Sequence, residues 1–309
     1  GYVKDGTADY TTYLQAALKQ YRTILMPDFP VMVNDSGLVL SSGQTLIFNT
    51  NSTLKLKASA LDTYDILRIH HVENVTIYFP VIYGDKNEHL GNEGQWGMGI
   101  AIRASKNVTI VQPKIYSCWG DGIYIGQLKH IPAENIIIYE PLLDDNRRNG
   151  LSVTAVNGLT INGGVVANSN GQMPMSGIDI EPNFADDVID NISINNTVTY
   201  NHPKYGIVVS LQKLAGRKQG ASNIKIDGHT DEYSGNALAI IGKPNEAVLT
   251  GSINVANSVW LNNKLGGLKL PVRNYGIPVR LVKNAYGSDK ETEKVISALK
   301  KQVNITLSQ

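Results

Sequence analysis

Gly99-Ile-Ala-Ile102 is the first of five copies of one short pattern, in which a glycine is followed by an apolar, a variable and an apolar residue. The later copies begin at Gly122, Gly150, Gly177 and Gly206, so the pattern returns after every 23 to 29 residues. Successive side chains of a strand point to opposite faces, and each copy therefore places two apolar side chains on one face. A recurring period of this length indicates a protein built from repeated structural units.

A second pattern runs between the copies of the first, with Asn or Gly before an apolar, a middle and an apolar residue. It occurs at Asn74-Val-Thr-Ile77, Asn107-Val-Thr-Ile110, Asn135-Ile-Ile-Ile138, Gly158-Leu-Thr-Ile161, Asn191-Ile-Ser-Ile194 and Asn223-Ile-Lys-Ile226. Two phased patterns predict two strands per repeat, each too short to bury its apolar face without a neighbouring copy about 4.8 Å away. Asn suits the turns because it tolerates left-handed backbone and forms hydrogen bonds when stacked. Stacked repeats of this kind predict a parallel β-helix.

A βαβ sheet is the competing architecture, and it requires a crossover of about a dozen residues or more between parallel strands. The segments between the strands are too short for that, as residues 104–106 and 155–157 illustrate. The spacing therefore favours the stacked β-helix.

Both ends of the chain differ from the repeats, as a stacked fold requires if its terminal core is to be covered. Residues 9–21 predict an amphipathic helix with Asp9 as its N-cap. Residues 289–301 predict a second helix, which a capping box of Ser288 and Glu291 opens. We predict that the first helix closes the N-terminal end of the stack.

A last strand is predicted over residues 303–307, and no linker rich in Pro, Gly or Ser interrupts the chain. The simplest organisation is one domain. Its predicted parts are an N-terminal cap (1–23), stacked coils (24–285) and a C-terminal helix and strand (286–309).

Composition and charge exclude several classes of protein. The 309 residues carry 28 basic and 27 acidic side chains, a formal charge of +1, which argues against a nucleic-acid partner. No run of about 18 apolar residues occurs, so no membrane span is expected. The single cysteine, Cys118, excludes an intramolecular disulfide and a cysteine-rich zinc site. We expect neither a metal nor a cofactor.

The leading segment Asp5-Gly-Thr-Ala-Asp9, the helix after it, the strand Ile24-Leu-Met-Pro27 and the Asn-Val-Thr-Ile repeats resemble the pectate-lyase superfamily. That superfamily contains polysaccharide lyases, glycoside hydrolases, mannuronan epimerases and phage tailspike depolymerases. The resemblance implies an all-β fold, a right-handed single-stranded parallel β-helix, with a polysaccharide substrate. It also implies an extracellular location or a place on a phage tail and, by analogy with tailspikes, a homotrimer. The signature motifs of polygalacturonases and epimerases are not found in their family arrangement, so the resemblance specifies the fold and not the reaction.

Two carboxylates stand out on the outward positions of the repeated strands. Asp179 and Glu181 lie two residues apart on one predicted strand, about 6 to 7 Å from each other, where most copies carry small or neutral residues. Asp121 belongs to a coil two rungs away, about 10 Å along the stack. Paired acids at such separations cleave glycosidic bonds. We expect Asp179 and Asp121 to be the acid and base, with Glu181 as alternate or helper; the alternative is a structural ion pair with Arg148.

Residues along the same edge predict a groove that binds sugar. Aromatic rings stack on sugar rings, and arginine binds carboxylates through two parallel hydrogen bonds. The predicted substrate-binding residues are Arg148, Arg147, Trp119, Tyr124, Arg103, Trp96, Lys129 and His130. The competing interpretation gives the adjacent arginines structural bonds to neighbouring turns and makes Trp119 peripheral packing.

The longest polar insertion between strands is residues 84–96, which contain Asp85, His89 and Glu93. One histidine with two separated acids is a weak metal motif, since metal sites need three or more converging ligands. We therefore interpret this segment as a solvated loop or a wall of the groove.

Three functions remain open on the sequence. The leading hypothesis is hydrolysis of glycosidic bonds in an extracellular or capsular polysaccharide. The second is a lyase, in which Arg103, Arg147 or Arg148 neutralises a uronate and Tyr124, Lys129 or His130 takes the proton. The third is a non-catalytic adhesin or glycan-binding spike.

Overall fold

The structure is a computed structural model that describes residues 2–214, 221–241, 249–270, 277–287, 290–299 and 305–308. Its strands form three parallel sheets, and each coil of the chain adds one strand to each sheet in turn. This arrangement confirms the predicted parallel β-helix.

The first sheet contains the predicted Gly-apolar strands. Its described strands, in the order of the stack, are Leu38–Val39, Thr63–His70, Trp96–Arg103, Ile123–Gly126, Asn149–Val153, Ser176–Ile180, Tyr205–Ser210, Asn236–Ile241 and Leu268–Lys269. The apolar pairs point inward and are fully buried, as Ile100 with Ile102 and Ile178 with Ile180 illustrate. Gly150 must be a glycine because a Cβ there would lie 2.1 Å from Cγ1 of Val166 on a neighbouring sheet.

The second sheet contains the predicted Asn-apolar strands. Its described strands are Thr23–Leu25, Thr45–Ile47, Glu73–Tyr78, Lys106–Val111, Ala133–Tyr139, Val156–Asn162, Ile189–Asn195, Ala221–Asp227, Thr250–Ala256, Val279–Val282 and Ile305–Ser308. Asn74, Asn107 and Asn135 all have left-handed backbone, with φ between 52 and 60°. Asn107 donates to Asn74 at 3.0 Å and Asn135 donates to Asn107 at 3.2 Å. The predicted asparagine ladder is therefore confirmed.

A third sheet was not predicted, and the expectation of two strands per repeat is wrong. Its described strands are Pro30–Val33, Thr53–Leu56, Val81–Tyr83, Lys114–Tyr116, Leu142–Asp144, Val165–Ala167, Val198–Tyr200, Thr230–Glu232, Val259–Leu261 and Ala285–Tyr286. Most of these strands have three residues and bury one of them, such as Ile115. A single inward residue per strand carries no period-two signal.

The N-terminal helix spans Thr11–Gln20 and buries Leu14 and Leu18 against the stack. Its N-cap is Tyr10, not the predicted Asp9. Asp9 acts from one residue earlier, since its Oδ1 accepts the backbone N–H of Thr11 at 2.9 Å.

The C-terminal helix spans Lys290–Leu299, and a short 3-10 helix spans Gln212–Leu214. Ser288 of the predicted capping box and Val303 at the start of the predicted last strand lie outside the described residues. Among the residues described, no helix is both long and apolar enough to cross a membrane. The division into cap, coils and C-terminal segment stays a prediction.

Candidate active site on the outer face of the first sheet

Outward side chains of successive coils form a row along the first sheet. Parallel register places Ala101 beside Tyr124, Tyr124 beside Ser152, Ser152 beside Asp179, and Asp179 beside Val208. Alternation along each strand then places Arg103, Thr154, Glu181 and Ser210 two residues further on. The sheet thus brings polar groups from five coils to one surface, which we call the first-sheet face.

Asp179 lies almost buried in this face, with 3% of its surface exposed. Its Oδ2 accepts a hydrogen bond from the side-chain amide of Asn149 at 3.2 Å, while Oδ1 has no hydrogen-bond partner among the described residues. Burial raises the pKa of Asp179 to about 7. The nearby positive charge of Arg148 opposes this rise, and the negative charges of Glu181 and Asp121 add to it. Near neutral pH this carboxyl is therefore able both to hold and to release a proton.

Glu181 is exposed, and it follows Asp179 by two residues. Its Oε1 accepts a hydrogen bond from Ser210 Oγ of the next coil at 3.3 Å. Along an extended strand the two Cα atoms lie about 7 Å apart on the same face. A buried acid on the strand and a solvated acid just past its end thus lie two residues apart.

The structure places Asp121, which the sequence predicts as an acid or base, in a fully buried position where it is saturated with hydrogen bonds. Nη1 of Arg148 donates to Oδ2 at 2.8 Å and to Oδ1 at 3.1 Å, and the backbone N–H of Asn149 donates to Oδ1 at 3.0 Å. Burial raises the pKa of Asp121, and the Arg148 charge opposes that rise. A carboxylate without exposed surface cannot reach a sugar.

The same contacts correct the prediction for Arg148. Its Nη1 also donates to Ser152 Oγ at 3.2 Å, and its side chain is largely buried. The charge of Asp121 raises the pKa of Arg148 against the effect of burial. Arg148 is therefore the counterion of Asp121 and a neighbouring charge for Asp179, rather than an exposed substrate clamp.

Trp119 and Arg147 pack against each other and do not present the predicted sugar-stacking surface. The Arg147 guanidinium lies 3.6 Å from the centre of the Trp119 ring system, and the His89 ring stacks on Trp119 with centroids 3.9 Å apart. Trp119 keeps 8% of its surface exposed. Arg147 Nη1 donates to the carbonyl of Gly94 at 3.0 Å. These contacts favour a structural role for both Trp119 and Arg147.

The 84–96 loop is anchored by a buried polar cluster. Asp85 accepts the backbone N–H of Ser59 at 2.9 Å and the Tyr64 hydroxyl, and its Oδ2 lies 2.8 Å from His89 Nδ1. The side chains of Asp85 and His89 are both buried, and Glu93 is exposed. No three His, Cys, Asp or Glu side chains of the described residues come together as a metal cluster.

Arg103 and Tyr124 remain on the accessible part of the face. Arg103 Cζ lies 4.5 Å from the centre of the Tyr124 ring, and Nη1 donates to Asp65 Oδ2 at 3.0 Å. The Tyr124 hydroxyl lies 2.8 Å from Thr154 Oγ1. Trp96, at the start of its strand, keeps 45% of its surface exposed.

Lys129 and His130 lie in the turn after Tyr124, where both have left-handed backbone. Both are exposed, and His130 Nδ1 lies 2.7 Å from Asp186 Oδ2. They border the first-sheet face at the edge where its strands end.

Asp65 also contributes to this surface, although the sequence did not identify it as a candidate site residue. Its Oδ2 lies 3.0 Å from Arg103 Nη1, 3.5 Å from Arg68 Nε and 3.4 Å from His70 Nε2. Burial and the two arginine charges lower the pKa of His70 to about 3, so this histidine is neutral. The available signal was Arg68 and His70 at alternate positions of one strand, the periodicity that identified Asp179 and Glu181.

The comparisons with known proteins agree with this architecture. No family model matches the chain. The chain is 25% identical over 285 residues to the uncharacterised protein YclG of Bacillus subtilis. That match covers 82% of this chain and 47% of the relative. Over 223 residues it is 24% identical to the SPbeta prophage-derived uncharacterised protein YorA of Bacillus subtilis, covering 66% of this chain and 36% of the relative.

Three solved structures are similar to the fold. The bacteriophage phi29 gene product 12 N-terminal fragment has a TM-score of 0.66 at 18% identity, over 93% of this chain and 51% of that one. A tailspike protein of Escherichia coli bacteriophage HK620, solved with a pentasaccharide, has a TM-score of 0.68 at 11% identity, over 93% and 55%. A polygalacturonase of Erwinia carotovora has a TM-score of 0.61 at 14% identity, over 99% and 93%.

The chain spans about half the length of the first of these relatives and of the two phage proteins. At identities of 11 to 18% the solved structures establish the shared fold alone. The chain therefore has the parallel β-helix fold of phage tailspike and polygalacturonase structures.

Proposed function

We propose that the protein cleaves glycosidic bonds in an extracellular or capsular polysaccharide, by hydrolysis on the first-sheet face. The observation that carries the proposal is the environment of Asp179, whose burial raises its pKa to about 7 beside the exposed Glu181. Two carboxyl groups with different environments are the arrangement that separates acid and base roles in glycoside hydrolysis.

In the proposed reaction Asp179 is the general acid and Glu181 the general base. The bond between the anomeric carbon and the leaving oxygen breaks, and the leaving oxygen takes the proton of Asp179. A water molecule adds to the anomeric carbon, and the Glu181 carboxylate accepts its proton. The hydrogen bond from Asn149 orients Asp179 for this transfer.

Trp96, Tyr124 and Arg103 are the proposed substrate-binding residues. The strand of Trp96 and Arg103 lies three strands from that of Asp179, about 14 Å along the stack at about 4.8 Å per strand. That length of surface accommodates several sugar units, with aromatic rings for stacking and a guanidinium for hydroxyl or carboxylate groups. A pentasaccharide bound to the HK620 tailspike supports a glycan ligand for this fold.

A lyase is the second candidate, because Arg103 lies 4.5 Å over the ring of Tyr124. Arg103 would neutralise a uronate carboxylate, and the Tyr124 hydroxyl would deliver or take the proton in β-elimination. A location outside the cell or on a phage tail belongs to both proposals. The homotrimer stays a prediction, which sedimentation of the purified protein tests.

The test is incubation with a panel of acidic and neutral bacterial and plant polysaccharides. New reducing ends report hydrolysis, and the ultraviolet absorbance of unsaturated uronates reports elimination. Asp179→Asn is the test variant, and Asp227→Asn on the second sheet is the matched control. Reducing ends without absorbance, lost only in Asp179→Asn, support the proposal. Absorbance favours the lyase, and glycan binding without any product favours a spike or adhesin.

A further inference from the structure

A cleft lies on the third sheet, away from the first-sheet face. Its volume is about 610 Å³, and it opens between the first coils, the N-terminal segment and the start of the 84–96 loop. Volumes of about 300 to 1,000 Å³ are typical of sites for small ligands. Nothing in the proposed hydrolysis uses this cleft.

The aromatic side chain of Tyr83 lines the cleft. Tyr83 and Tyr116 occupy the same register on neighbouring strands, and their rings stack with centroids 4.8 Å apart. Because the rings stack along the ladder of strands, the second face of Tyr83 is directed toward the strand of Lys55, which pairs with it on the other side. Tyr83 is 41% exposed. A partly exposed, flat apolar ring that lines a cleft is a surface on which a sugar ring can stack.

Hydrogen-bonding side chains surround that ring. Asn87 and Glu88 line the cleft from the loop, are exposed, and make no side-chain hydrogen bond or ion pair with any described residue. Lys55 lines the floor of the cleft, and Thr7 lines the side of the N-terminal segment. Amide, carboxylate, ammonium and hydroxyl groups together match the donors and acceptors of sugar hydroxyls.

The loop that carries Asn87 and Glu88 is held rigidly from its other side. Asp85 and His89, which flank those two residues, have buried side chains that contact each other. Lys86 Nζ lies 2.5 Å from Asp145 Oδ1 and 3.0 Å from the Asp145 carbonyl. Anchored residues therefore flank the two unpartnered ones, which pre-organises the free side chains and lowers the entropy lost on binding.

We propose that this cleft is a second glycan-binding site, which takes a neutral segment of one or two sugar rings stacked on Tyr83. The charges around the cleft are mixed, with Lys55 opposite Glu88 and Asp5, so they do not select for an anionic sugar. A site remote from the first-sheet face adds a second attachment to a polymeric glycan and raises the avidity of the protein for it.

The test is titration of the protein with neutral disaccharides, namely cellobiose, lactose, maltose and N,N′-diacetylchitobiose, followed by NMR of its tyrosine rings. We expect a saturable shift of the Tyr83 ring for at least one of them, with binding weakened about tenfold in Tyr83→Ala. Tyr200→Ala is the matched control, because Tyr200 occupies the same sheet and is 39% exposed. Asn87→Ala combined with Glu88→Gln is the second test variant, since it changes only exposed loop side chains.

Three outcomes overturn the proposal. They are no saturable shift with any of the four sugars, equal binding by the Tyr83→Ala and wild-type proteins, and tighter binding of digalacturonate than of every neutral sugar. The measurement detects binding without turnover, so it tests the second glycan-binding site even if the proposed hydrolysis fails. Conversely, Tyr83→Ala is expected to leave the cleavage rate of short oligosaccharides unchanged.

Discussion

Nη1 of Arg148 lies 2.8 Å from Oδ2 of Asp121 in the layer directly beneath the first-sheet face. Asn149 connects this pair to the surface, because its backbone N–H donates to Asp121 and its side chain donates to Asp179. The two aspartates therefore differ in role. Asp121 neutralises a buried arginine, whereas Asp179 keeps one oxygen without a hydrogen-bond partner among the described residues.

The pKa of Asp179 predicts the pH dependence of activity. As the general acid, this carboxyl must be protonated, and its pKa is about 7. Hydrolysis should therefore fall as the pH rises through about 7, by about tenfold for each further pH unit. Measurement of kcat/KM across neutral pH checks this. A rate that stays constant well into alkaline solution contradicts the assignment of Asp179.

Loss of the Arg148 charge should destabilise the fold strongly. Arg148→Met leaves Asp121 buried and unpaired, and removal of one partner of a buried ion pair costs about 3–5 kcal/mol. The double variant Arg148→Met with Asp121→Asn should recover most of that loss, since neither position of the buried pair then carries a charge. Urea unfolding measures both. Lys106→Met, which removes the exposed partner of Glu134, is the control and should cost far less.

His202 should make the protein sensitive to acid. Its Nδ1 accepts the backbone N–H of Ser169 at 3.2 Å and its Nε2 donates to the carbonyl of Val166 at 3.0 Å, so both nitrogens are used by the neutral ring. Burial lowers its pKa from 6.5 to about 4. Because the pKa of His202 is lower in the folded than in the unfolded state, the stability contributed by the neutral ring is fully present above pH 6.5. About 3 kcal/mol of that stability is lost as the pH falls toward about 4.

The free energy of unfolding at neutral and acid pH checks the role of His202. His202→Asn should lower stability at neutral pH and flatten the decline in acid. His71→Asn, at an exposed turn residue with left-handed backbone, should keep the wild-type pH dependence. If the free energy of unfolding of His202→Asn falls in acid as steeply as that of the wild type, His202 is not the group responsible.

Close contact between sheets should make Gly150 intolerant of a side chain. The Cβ of Gly150→Ala would meet Val166 Cγ1 at 2.1 Å, and overpacking of this kind costs about 1–3 kcal/mol. Gly287→Ala is the control, because its added Cβ meets no atom within 4 Å in the described part of the chain, its sequence neighbours aside. Thermal melting compares the two variants. If the two variants melt at the same temperature, the sheets accommodate the methyl group at position 150 without loss of stability, and the prediction is contradicted.

The fold could be predicted because two of its three strands per coil carry alternating apolar residues. Strands such as Lys114–Tyr116 bury only one of three residues, so the third sheet left no pattern in the sequence. The same alternation predicted that Asp179 and Glu181 share a face.

The contacts of Trp119 could not be predicted in that way. Its ring is covered by His89 from an earlier coil and by Arg147 from the next one. Burial of Asp121 likewise depends on Arg148 from the adjacent coil. Alternation within one strand gives the direction of a side chain, whereas its exposure depends on loops that pack over it from other coils.

The most direct test of the central claim is kcat/KM for the wild type, Asp179→Asn and Glu181→Gln on a polysaccharide that the wild type cleaves. Both variants should remain folded, bind the glycan and lose activity by about 10²–10⁴-fold, because each removes one proton-transfer group. Wild-type activity in either variant, with the fold intact, would contradict the assignment of this acid pair.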